Sequence, residues 1–166
     1  MSQKLETPAP PPAIALVITI IVVVAFVGWI ILGSKFLGIT SFFASFLFFW
    51  YWAAVEAADM KQWAQSTIGA LVGLGLAWQS HWLPSEFGTP GFIGSILLII
   101  AAVYFQITNK IPLVINRCAM LFLTVLAAPA ILEKLDTLEV AMAIGLGALY
   151  FGAIIKLVTA LTAKKV

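Results

Sequence analysis

The chain has 166 residues, 63% of them hydrophobic and 10% charged, with a formal net charge of +2 and a mean hydropathy of +1.10. Water-soluble chains average about 45–50% apolar and about 25% charged residues, so this composition excludes an ordinary soluble globule and indicates an all-α polytopic membrane protein. The small charge offers no footprint for nucleic acid, and a single cysteine, Cys118, beside a single histidine, His81, rules out an internal disulfide or a bis-histidine haem and argues against a Cys/His metal site.

Residues 1–12 end in Thr7-Pro8-Ala9-Pro10-Pro11-Pro12. A run so poor in backbone donors predicts a disordered, extended stub. A membrane domain is expected over 13–163. Six apolar segments are predicted to span the bilayer: Ala13–Gly33, Gly38–Val55, Gln65–Leu83, Gly91–Thr108, Pro112–Leu132 and Leu138–Leu161. Each approaches the roughly 20 residues that a crossing requires. The first exceeds the apolar core of about 7–15 residues found in a cleaved signal, and is read as a span. Ser34-Lys35 and Asn109-Lys110 form short connections, and Pro84 to Pro90, with Gly88, forms a turn-rich loop.

With the N-terminus inside, the inner segments carry Lys4, Lys61, Lys110, Arg117, Lys156, Lys164 and Lys165, against Lys35 and Lys134 outside. The positive-inside rule then places both termini of this multi-pass membrane protein in the cytoplasm. Trp29, Trp78 and Trp82 fall near outer helix ends, with His81 beside them. They are expected as anchors at the membrane–water boundary.

Shifting the chain by 75 residues superposes Lys35 on Lys110, Ser41 on Asn116, Ala44 on Ala119 and Ala53 on Ala128. The second and fifth segments each lead through an acidic cluster into a glycine-bearing one, with Glu56 and Asp59 matching Glu133 and Asp136. Two halves, about 13–83 and 91–163, are therefore expected. Each would contain three spans, an odd number, so the second would enter the membrane inverted, as in many transporters.

The aromatic run Phe46-Leu47-Phe48-Phe49-Trp50-Tyr51-Trp52-Ala53-Ala54, the acidic turn after it and the stretch Gly69 to Trp78 resemble the YcdZ-like inner-membrane proteins, a domain of unknown function numbered 1097. The later half is similar again, from Leu121-Phe122 to Ala128 and through Gly145-Leu146-Gly147 to Gly152. The resemblance covers about Phe26 to Leu157. Where that family often carries glycines in the turn, this chain has Glu56, Asp59 and Lys61. The resemblance implies a small bacterial inner-membrane protein and no particular substrate.

Glu56 and Asp59 share one helical face by their spacing of three, and form either a solvated helix end or a cation-attracting mouth. Arg117 lies a short way into the fifth segment. It either snorkels to the surface, pairs with Glu56 or Asp59, or lines a pathway beside Asn116. Ser41, which superposes on Asn116, completes the pathway candidates. Glu139, with Glu133 and Asp136, is expected in a solvated turn. Gly69 with Gly73, and Ala148 with Gly152, are small-x-x-x-small pairs expected to seat helices closely. Walker, dinucleotide, HExxH and GxSxG patterns are missing, so no enzyme is expected and no catalytic residue, cofactor or metal ligand is assigned.

Two readings follow. One is a channel or transporter for a small polar solute. The other is a non-catalytic accessory subunit of a larger membrane complex. A membrane-embedded enzyme completed by a partner's residues is a third, weaker reading. The expected partners are the lipid bilayer and either further copies of the chain or other membrane subunits.

Overall fold

The computed structural model describes residues 11–128, 131 and 136–163. The expected proline-rich stub therefore lies largely outside the described residues, as do Glu133 and Lys134. The described chain is helical, in the order α1 (Pro12–Phe36), α2 (Phe42–Ala54), α3 (Met60–Thr108), α4 (Arg117–Leu126) and α5 (Thr137–Ala163).

Three of these, α1, α3 and α5, are long and apolar enough to cross a membrane, whereas α2 and α4 contain only 13 and 10 residues. The expectation of six spans is thus corrected. At a rise of about 1.5 Å per residue, α2 and α4 reach only about 20 and 15 Å, short of a hydrocarbon core about 30 Å thick. The cause is local chemistry at the helix ends, which hydropathy does not register.

α1 begins at Pro12, whose fixed φ and missing N–H suit a first turn. It ends where Gly38 adopts a positive φ of 63° and the Ile39 N–H returns to the Gly33 carbonyl at 3.0 Å. That left-handed residue delays α2 from Gly38 to Phe42. After α2 the chain turns through Ala57 and Ala58, both at positive φ, and is pinned by the Trp52 indole donating to the Asp59 carbonyl at 2.9 Å. Before α4, residues 109–115 form turns instead of helix, and the α4 helix starts only after Asn116 caps it.

α3 unites the third and fourth expected segments, and the expected loop at Pro84–Pro90 is mostly helical. Its one non-helical residue is Gly88, at φ 58° and ψ −133°. The break reverses the chain. Gln62 and Gln65 near the start of α3 line the same cavity as Gln106 near its end, whereas a straight helix would hold Gln62 and Gln106 about 66 Å apart. The arms 60–87 and 89–108 therefore run antiparallel. At the bend Gly91 lies so close to the Leu83 carbonyl that a Cβ would collide with it. Pro90 falls in the first turn of the second arm, where its missing N–H is least costly.

The core joins α2, α3, α4 and α5 through Phe48, Trp52, Leu74, Phe122, Leu126, Val140 and Ile144. α2 packs on α5, and α4 packs on α3. Glycines set both contacts: Gly147 faces Ser45 of α2, its absent Cβ 2.7 Å from the Ser45 Cβ, and Gly73 faces Ala119 and Phe122 of α4. α1 is peripheral. It touches α5 and α2, and Ile14, Leu16, Val17, Ile20, Val24 and Val27 on it are exposed. Such an apolar surface matches hydrocarbon and not water.

Candidate functional site

A polar cavity of about 390 Å³ lies where the end of α2, both far ends of α3 and the start of α4 meet. It is lined by Tyr51, Glu56, Gln62, Gln65, Gln106, Asn109, Pro112, Asn116 and Arg117. Asn109, Pro112 and Arg117 are exposed, so the cavity opens to the surface. Its volume falls within the roughly 300–1,000 Å³ usual for small-molecule sites.

Asn116 organises this end of the molecule. It is buried, and its Nδ2 donates to the Gln65 carbonyl at 2.9 Å and to the Pro112 carbonyl at 3.1 Å. Its Oδ1 accepts from the Ala119 N–H at 3.1 Å. One amide therefore caps α4, closes the 109–115 turn and ties both to the first arm of α3, which satisfies groups that would be costly to bury unpaired. Gly69 makes room for it, since a Cβ there would collide with the Asn116 amide. Arg117 follows as the first residue of α4. Across the cavity the Tyr51 hydroxyl donates to Glu56 Oε1 at 2.8 Å, so the carboxylate is held toward the end of α2.

Of the pathway candidates, Arg117, Asn116 and Glu56 come together here. Asp59 and Ser41 do not line the cavity. Asp59 caps α3 by accepting from the Lys61 N–H at 2.8 Å. Ser41 stands at the opposite end of α2 from Tyr51. There Glu139 Oε1 accepts from the Thr40 Oγ1 and the Ser41 N–H, each at 2.8 Å, and from the Thr40 N–H. Glu139, expected in a solvated turn, lies in the first turn of α5 and from there holds the residues just before α2. Sequence reasoning missed Tyr51, Gln62, Gln65, Gln106 and Asn109. The signal for the last four was a set of amides near the ends of apolar segments, distant in sequence and joined only by the reversal at Gly88.

The expected interfacial residues divide. Trp78 and Trp82 are exposed and stacked with ring centroids 5.2 Å apart, and His81 beside them is exposed. Trp29 is enclosed, at 1% exposure, against Tyr150 and Phe151, which corrects its reading as an anchor. The small-residue pairs seat partners within the molecule. Gly69 and Gly73 receive α4. The Ala148 carbonyl accepts from the Trp63 indole at 2.9 Å, and Gly152 lies under the same ring. Among the described residues no group of three or more His, Cys, Asp or Glu side chains is placed to hold a metal ion.

These features define the class: an all-helical, membrane-associated protein with a polar cavity at one end of an apolar bundle. No protein-family model, curated protein or solved structure matches the chain.

Proposed function

We propose that this protein is a small multi-pass protein of the bacterial inner membrane that passes a small polar solute through itself. The observation carrying the reading is the cavity: Glu56, Asn116, Arg117 and three glutamines gather in a chain otherwise built of apolar helices. Ionisable groups that face one another across a cavity at the end of an apolar bundle mark a candidate mouth for a substrate path. The two short helices support the same reading. Ser41 and Asn116, 75 residues apart, stand at the N-terminal ends of α2 and α4. α2 rests on the last helix of the second half and α4 on the last arm of the first, with a glycine at each contact. Each half of the chain thus builds a unit of two long arms and one short helix, and in such paired units the solute path commonly lies at their interface. A bacterial inner membrane with both termini in the cytoplasm is carried over from the sequence as part of this proposal.

The test is solute flux in liposomes containing the purified protein. Wild-type protein should conduct small polar solutes above the rate of empty liposomes. Arg117→Ala should lower that rate by about tenfold, the loss of one charge-assisted contact. Wild-type flux equal to that of empty liposomes, across the whole range of solutes, defeats the proposal. It leaves the accessory-subunit reading, which co-purification of foreign membrane subunits would then support.

A further inference from the structure

The cavity carries charges of both signs on separate elements. Glu56 follows α2, and its Oε1 is fixed by the Tyr51 hydroxyl at 2.8 Å. Arg117 opens α4, whose position Asn116 sets through the first arm of α3. Side chains of these two types are of opposite formal charge, one an acceptor and the other a donor. The remaining lining is largely amide, and each amide offers both a donor and an acceptor without net charge. We infer that the solute is a small zwitterion, taken with its cationic end toward Glu56 and its anionic end toward Arg117. The inference rests on the proposed transport function and specifies the substrate class of the same cavity.

Physical chemistry separates the alternatives. A simple anion gains from Arg117 and is repelled by Glu56, and a simple cation meets the reverse. A neutral polyol displaces water from both charges and replaces it with weaker neutral contacts. A solute with opposite charges a few ångströms apart compensates both at once, and the amides of Gln62, Gln106 and Asn109 are available around its middle. The size agrees: about 390 Å³ accommodates a molecule of amino-acid dimensions with some water, given that one water occupies about 30 Å³.

The experiment compares three solutes that carry charge at every working pH with one neutral polyol. Taurine is the zwitterion, isethionate the matched anion lacking the ammonium, and choline the cation; erythritol serves as the neutral polyol. In liposomes with wild-type protein, taurine should move about tenfold faster than isethionate or choline, the worth of one charge-assisted contact. Glu56→Gln should remove the preference over isethionate, and Arg117→Gln the preference over choline. Glu56→Asp and Arg117→Lys should each keep part of it, which separates a charge effect from misfolding. Flux of erythritol, isethionate or choline equal to or above that of taurine overturns the zwitterion assignment while leaving transport standing. Absence of flux for every solute overturns the transport reading itself.

Discussion

At the scale of single residues, glycines decide where helices touch. Gly73 presses against the Ala119 carbonyl of α4, and a Cβ there would also lie 2.7 Å from the Phe122 Cβ, whereas a Cβ at Gly75 would meet nothing within 4 Å. Gly73→Ala should therefore cost about 1–3 kcal/mol by overpacking, read as a lower unfolding temperature in mild detergent. Gly75→Ala, in the same helix, should leave stability unchanged or raise it by up to about 1 kcal/mol, since alanine is the better helix former. Equal losses from both substitutions would contradict the packing described here. Asn116 and Glu139 are the polar counterparts of these glycines. Each reaches from one element to the exposed amides or carbonyls of another, and so sets where a short helix begins. Asn116 was legible in sequence as an odd polar residue in an apolar run. Glu139 was not, because its partners Thr40 and Ser41 are 98 or 99 residues away.

At the scale of elements, the decisive feature is the reversal inside α3. Gly88 holds φ 58° and ψ −133°, a conformation that strains any residue with a Cβ by about 1–3 kcal/mol. Gly88→Ala should lower the unfolding temperature, and Gly94→Ala, at a position with open space, should not; circular dichroism melts on the two variants check this. The bend was legible, because Pro84, Gly88 and Pro90 mark a turn. Its compactness was not, since the prolines sit inside helical backbone and only one residue leaves it. The lengths of α2 and α4 were illegible for a related reason. Hydropathy reports which residues favour lipid, and Gly38, Asn116 and the 109–115 turns set the ends by hydrogen bonding and backbone geometry.

At the scale of the whole molecule, apolar surface faces outward along α1 and inward through a core that includes Cys118, fully buried among α2, α3, α4 and α5. Its thiol should resist maleimide in folded protein and react as the bundle opens, so labelling followed against temperature should track global unfolding; fast labelling at low temperature would show that the core is not closed. Composition alone was enough to assign the chain to lipid, because so much apolar surface has no favourable state in water, and turn residues were enough to divide it into segments. Polar residues stranded among apolar ones also marked Glu56, Asn116 and Arg117, which the fold brings to one cavity. Which of those segments attain bilayer-crossing length, why Asp59 and Ser41 serve as helix starts instead of cavity walls, and how Gln62 comes to face Gln106 all depended on the folded chain. Those outcomes are fixed by contacts between residues remote in sequence, and local periodicity carries no record of them.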